Sequence, residues 1–211
     1  MKSINCPLCQ GNATLKYSYR ETDYYQCSHC KSLFVGSAYR PTREEERARY
    51  LLHQNDVNDQ GYQAFVSPIS QMVLSDFTPK DTGLDFGAGT GPVIAKILSA
   101  HHFNIETYDP FFDNRPELLN NRYNYIVCCE VMEHFFDPHK EFSLLRKLLK
   151  PGGKLYCMTS LYHDQLEFKS WKYKDDPTHV FFYHRKALEW ICSRLKFNSV
   201  NIHEKLIIFS T

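Results

Sequence analysis

The sequence predicts an α/β fold with a largely parallel sheet, preceded by a small metal-clipped module. Three observations carry that expectation. From Gly83 onward, short apolar runs alternate with helical patterns, the signature of a sheet covered on both faces. The first run leads into Asp85-Phe86-Gly87-Ala88-Gly89-Thr90-Gly91, a glycine loop that opens a helix. Ahead of both stand two paired-cysteine turns, Cys6-Pro7-Leu8-Cys9 and Cys27-Ser28-His29-Cys30.

Along the chain, residues 1–40 form the cysteine module, 41–78 a helical linker and cap, and 79–211 the main domain. The first segment is too short to bury a core unaided, so a metal or docking onto the next domain must stabilise it. Leu33-Phe34-Val35 is the apolar stretch expected to pack on the main domain. After Pro41, Thr42 caps a charged helix with Glu45 at the capping-box position. Asn55 to Gly61 reads as a polar loop, and Tyr62 to Phe77 as a second helix that Pro68 kinks or breaks. Strands are expected at Leu84–Phe86, Asn104–Tyr108, Tyr125–Cys129 and Lys154–Met158, with two more around His203 and Ile207. Helices are expected at Pro92–Ser99, Glu141–Leu149 and Arg185–Leu195, and Pro151-Gly152-Gly153 is read as a turn.

Hydrophobic residues make up 43% and charged residues 23% of the 211-residue chain, so a packed core is expected. No apolar run approaches the roughly 20 residues needed to span a bilayer, and Met1 to Gln10 lacks a signal-peptide core; the chain reads as cytoplasmic. With 25 basic and 24 acidic side chains, broad capture of nucleic acid or anionic membrane is disfavoured. The tail beyond Lys150 is basic, with Lys169, Lys172, Lys174, Arg185 and Lys186, and is read as solvated surface. Cys6, Cys9, Cys27 and Cys30 fit the spacing of a structural four-thiolate zinc site, with His29 a turn residue rather than a ligand. Cys128, Cys129, Cys157 and Cys192 read as small buried hydrophobes.

Glycines at a strand-to-helix turn let backbone N–H groups approach a polar ligand without Cβ interference. Here the spacing is acid-x-Gly-x-Gly-x-Gly, whereas the dinucleotide fingerprint places its third glycine one residue later. In this the chain resembles the class I S-adenosylmethionine-dependent methyltransferases, over roughly Gly61 to the C-terminus. Cys129-Glu130-Val131-Met132-Glu133-His134-Phe135 and Leu149-Lys150-Pro151-Gly152-Gly153-Lys154-Leu155 look like later motifs of that family, especially its ubiquinone-biosynthesis O-methyltransferase and sugar-methyltransferase branches.

The resemblance implies a Rossmann-like, mostly parallel seven-stranded sheet, shortened here because only Pro110 to Asn124 separates Asp109 from the next strand. It implies S-adenosylmethionine held by Asp85, Gly87, Ala88, Gly89 and Gly91, with Asp109 gripping the ribose and Glu130 and Tyr62 adjoining. Tyr62 and Phe65 flank the methionine end of the cofactor or pack the second helix. His134, His163 and His179 are candidate bases, with His134 and His179 preferred as catalytic. Glu130, Glu133 and His134, at i, i+3 and i+4, would share one face of a helical turn. In the ubiquinone branch such a cluster goes with a divalent ion, so Mg²⁺ is an option; a metal-free Glu-His pair is the preferred reading. The aromatic segment Phe168 to Tyr183 is read as an acceptor lid, its His179 either lining the pocket or held structurally by Asp176.

The expected function is methyl transfer to a small hydroxylated or aromatic metabolite. An RNA methyltransferase gripping nucleic acid through its zinc module is the second reading, weakened by the near-neutral N-terminal segment. A non-catalytic cofactor-binding scaffold is the third.

Overall fold

In the computed structural model, residues 3–52 and 56–211 are described; Asn55, where the expected polar loop begins, lies outside them. The N-terminal segment forms strands β1 (Ser3–Asn5), β2 (Asn12–Tyr19), β3 (Thr22–Cys27) and β4 (Leu33–Val35). Helices α1 (Arg43–Tyr50) and α2 (Gln60–Asp76) follow. The main domain contributes β5 (Thr82–Phe86), α3 (Val93–Ala100), β6 (Asn104–Tyr108), β7 (Tyr123–Cys129), α4 (Pro138–Leu148), β8 (Leu149–Met158), β9 (Phe181–Phe182), α5 (Arg185–Arg194), β10 (Ser199–His203) and β11 (Leu206–Ser210).

Six strands form the main sheet in the order β10-β11-β8-β7-β5-β6. The β6-β5-β7-β8 pairings are parallel, and β11 and β10 add an antiparallel edge. Along β7 and β8, Tyr125, Val127, Tyr156 and Met158 pack with α2 and α3, while Ile126, Cys128, Leu155 and Cys157 pack with α4 and α5. Burial on both faces explains why these strands read as continuous apolar runs. Between Asp109 and β7 the chain makes a short 3₁₀ helix at Pro116–Asn120 and no strand, so β6 is the sheet edge. That is the shortening anticipated from the length of this stretch.

The second sheet runs β1-β2-β3-β4-β9. Its last strand comes from far along the chain: Leu33 pairs with Phe182 and Phe34 with Phe181. Leu33, Phe34 and Val35 are all buried, as expected of the docking stretch.

Three local expectations need correction. Pro68 does not break α2, which runs through it. The Ala64 carbonyl that loses its amide partner to the proline ring accepts instead from the Ser67 hydroxyl at 2.8 Å. Pro151-Gly152-Gly153 is a bulge inside β8 rather than a turn before it, with Gly152 at φ +76° and a register shift opposite Tyr123 and Tyr125. Cys129 and Cys192 are only half-buried.

The capping box at α1 forms as read, Glu45 N–H donating to Thr42 Oγ1 and Thr42 N–H to Glu45 Oε2. No helix among the described residues is long and apolar enough to cross a membrane. Phe142 is fully buried against Phe135, Tyr183 and Phe209. Phe142→Ala is therefore expected to cost about 3–5 kcal/mol, measured by urea unfolding.

Candidate active site

The glycine loop follows β5 and meets the end of β6. Gly87 and Ala88 donate to the Tyr108 carbonyl at 2.8 and 3.2 Å, drawing the loop against that strand. Gly87 and Gly89 have φ of +79° and +63°, and a Cβ on Gly87 would sit 2.6 Å from the Val131 side chain. Only glycine fits there. Asp109 is buried and accepts from Gly89 N–H (2.9 Å), Phe111 N–H (2.8 Å) and Phe112 N–H (3.0 Å). Tyr62, Val66, Asp85, Gly87, Ala88, Gly91 and Cys129 line one cleft. The expected Tyr62 and Phe65 stack on each other, with ring centroids 6.1 Å apart.

Burial raises the Asp85 carboxyl to about 7, helped by Asp109 and opposed by the Ala95 backbone N–H at the start of α3. Glu130 is likewise raised to about 7, by burial first and then by Glu133, with Tyr173 and Lys205 opposing. Its Oε1 is buried with no hydrogen-bond partner among the described residues.

Glu130 is not on a helical face with Glu133 and His134, which corrects the sequence reading. It takes a left-handed conformation (φ +52°), and the turn that follows is a single 3₁₀ turn, Met132–His134. The ligand-type atoms that converge are those of Glu133, His134 and His179, all within 4.8 Å of one another. Glu133 is fully buried; Tyr173 donates to its Oε1 at 2.6 Å and Thr159 to its Oε2 at 3.1 Å. The Tyr173 hydroxyl also lies 3.2 Å from Glu130 Oε2, and burial and these carboxylates hold it well above its ordinary range, protonated and donating.

Both histidines have their tautomers set by backbone carbonyls, which can only accept. Nδ1–H of His134 donates to Thr178 O at 2.9 Å, and Nδ1–H of His179 to Tyr173 O at 2.6 Å. The Nε2 of His179 stands 4.0 Å from Glu133 Oε1. Burial lowers the His179 pKa against the pull of Glu133. The Asp176 carboxylate accepts from the Thr178 N–H and hydroxyl and from Arg49 of α1 (3.0 and 2.8 Å). Tyr50, also of α1, meets the His134 ring edge-on at 5.3 Å. His163 is exposed and stands apart.

Tyr173, Cys129, Tyr50 and Arg49 were not singled out from the sequence. The aromatic density around Tyr173 was the one available signal; the others depend on long-range packing.

At the far side, Cys6, Cys9, Cys27 and Cys30 bring their sulfurs within 4.8 Å of one another, with Cys6–Cys30 at 3.7 Å and Cys9–Cys27 at 3.4 Å. Tetrahedral Zn–S bonds of about 2.3 Å place sulfurs about 3.8 Å apart, so the four thiols fit such a site. Hydrogen bonding among the thiols pushes Cys6 and Cys30 up, with burial adding to it, and pushes Cys27 down against burial; four thiolates side by side would need a cation among them. His29 is exposed on its turn.

Solved structures share the fold. An O-methyltransferase family protein from Burkholderia thailandensis superposes with a TM-score of 0.56 at 10% identity, over 82% of this chain and 64% of its own. A SAM-dependent methyltransferase from Archaeoglobus fulgidus gives 0.55 at 15% identity, over 71% and 94%. Human N-acetylserotonin methyltransferase, in complex with SAM, gives 0.51 at 13% identity, over 72% and 54%. The fold is thus the α/β class I methyltransferase fold. The family model described as a methyltransferase domain matches residues 53–202, and this chain belongs to that family. A ubiquinone biosynthesis O-methyltransferase from Erwinia tasmaniensis is 30% identical over 78 residues, which are 37% of this chain and 32% of that protein. The match therefore spans about a third of that relative's length.

Because the folded Asp85 pKa lies above its ordinary 3.8, the folded state binds more protons than the unfolded one between about pH 4 and 7. Stability is expected to fall as pH rises through that window. Asp85→Asn should make the fall shallower in urea unfolding, and an unchanged slope would show that Asp85 titrates normally.

Proposed function

We propose that this chain transfers a methyl group from S-adenosylmethionine to a small hydroxylated or aromatic acceptor, and that its four N-terminal cysteines hold a structural zinc ion. One observation carries the reading. A cleft floored by a glycine loop, with buried Asp85 and Asp109 at adjacent strand ends, lies next to a cluster of two histidines and two raised carboxylates. Bound in that cleft, the sulfonium supplies an electrophilic methyl carbon.

The chain's own residues would divide the remaining work. Asp109 has lone pairs left for ribose hydroxyls, while Asp85 and the Oε1 of Glu130, without a hydrogen-bond partner among the described residues, offer negative charge to a cationic ligand. Tyr62, backed by Phe65, gives the cleft an apolar wall. Alignment for in-line displacement is the main demand of such a transfer, and a base is needed where the acceptor must lose a proton. His179 fits that role: it is neutral near pH 7, its Nε2 lone pair is free of the Tyr173 contact, and Glu133 stands ready to stabilise the imidazolium. His134, fixed in the same tautomer, is the second candidate. The zinc ion would close its coordination shell with four sulfurs and serve stability alone.

Calorimetry with S-adenosylhomocysteine tests the cofactor half. Binding is expected for the intact protein, with Asp109→Ala weakening it at least about tenfold through lost charge-assisted hydrogen bonds. Folded, metal-replete protein that gives no heat would overturn the reading. Metal analysis is expected to find one zinc per chain, lost in Cys27→Ala together with much of the thermal stability. With an acceptor in hand, His179→Ala should slow transfer by about 10²–10⁴-fold and leave S-adenosylhomocysteine binding in place.

A further inference from the structure

Lys174 belongs to the basic tail read from the sequence as solvated surface. Its side chain instead has 0% exposure. Nζ donates to Asp175 Oδ1 at 2.9 Å and lies 4.1 Å from the Tyr19 ring centroid and 5.6 Å from that of Phe168. Tyr19 belongs to β2 of the cysteine module. Phe168 is stacked on Tyr17 of the same strand (4.1 Å, 3° between planes) and meets Tyr24 of β3 at 4.9 Å. The cation is thus sunk in an aromatic box of Tyr19 and Phe168, the second ring itself held by Tyr17 and Tyr24 of the N-terminal sheet. Burying an ammonium is unfavourable unless it is paired, and a methionine would fill the same volume without that penalty. The cation adds what an apolar side chain lacks, which is one preferred orientation over a ring face.

The residue before it reaches the histidine cluster. Lys172–Asp175 is a 3₁₀ turn, in which successive side chains diverge by about 120°. With Lys174 set in the box, Tyr173 is turned away from it, toward Glu133, Thr159 and Glu130. The Tyr173 carbonyl then receives His179 Nδ1–H, and its ring packs on the His179 ring with centroids 4.2 Å apart. The far end of the segment is pinned by the same module, through Val35 N–H to Val180 O at 2.9 Å and the β4–β9 pairing.

We infer that Lys174 is a positioning residue: it anchors the Lys172–Asp175 turn in the aromatic box of the cysteine module, and so holds Tyr173 against Glu133 and sets the ring of His179. The module then serves the histidine side of the site rather than the cofactor cleft. The role of His179 in this inference rests on the methyl-transfer reading; the geometry can be tested without it.

The test uses the full zinc-loaded chain. Nitrogen-15 imidazole spectra at pH 8, with His179 assigned by His179→Gln, read its tautomer; hydrogen exchange reads the 173–182 amides; calorimetry reads S-adenosylhomocysteine affinity. Wild type is expected to show His179 protonated at Nδ1. In Lys174→Met, and separately in Tyr19→Leu on the opposite side of the contact, the tautomer signal should average and the 173–182 amides exchange about tenfold faster or more. S-adenosylhomocysteine affinity should stay within about twofold. A fixed Nδ1–H tautomer with unchanged exchange in both variants overturns the inference. So does a loss of S-adenosylhomocysteine binding in both, which would make the box a support of the whole domain. Wild-type protein with the expected tautomer but no S-adenosylhomocysteine binding would remove the methyl-transfer reading and leave the positioning result standing.

Discussion

Carboxylates withdrawn from water at the carboxyl edge of a parallel sheet constrain everything around them. Asp85 and Asp109 close β5 and β6, and Glu130 and Glu133 follow β7. An ionised carboxylate in such a place costs several kcal/mol unless donors surround it. The chain brings donors from every side: three backbone amides on Asp109, two hydroxyls on Glu133, and a helix amide on Asp85. Glu130 keeps one oxygen without a donor among the described residues. The glycine loop, the 168–183 segment and the strand ends are arranged around this charge, and burial raises the proton affinities of Asp85 and Glu130.

Helix α1 is positioned by the same logic. It buries no residue fully, and beyond the edge contacts of Tyr50 with Phe111 and His134 it is held by polar contacts. Arg43 donates to the Pro110 carbonyl at 2.8 Å and lies over the Phe111 ring, while Arg49 grips Asp176 of the 168–183 segment. The helix therefore bridges the loop after β6 and the segment carrying His179. Arginine suits this use, since its planar fork both stacks and donates in fixed directions.

Local features of this architecture were legible in the sequence because they have local causes. Asn104–Tyr108 is the observed β6 without change, and the Thr42–Glu45 capping box forms as its spacing suggests. The glycine spacing identified its loop because positive φ and close packing leave few residue choices. The failures share a different cause. Pro68 looked like a break because its compensation is a single serine hydroxyl. Glu130 looked helical because i, i+3, i+4 spacing is silent about a left-handed residue at its start. Lys174 counted as surface because lysines usually are, and the nearer of the two rings over it, Tyr19, lies about 150 positions earlier in the chain. The pairing of His134 with His179 also depends on a return of the chain that no local pattern reports.

The β4–β9 pairing has a consequence for biosynthesis. Leu33 and Phe182 lie about 150 residues apart, which at 5–20 residues per second separates their emergence from the ribosome by roughly 8 to 30 s. Throughout that interval β4 is a nascent apolar edge with no neighbour on one side. The four cysteines, by contrast, are all available before the main domain has begun to be made. A metal held by them would be captured before closure of the sheet, giving the growing polypeptide an ordered template on which its last third is received.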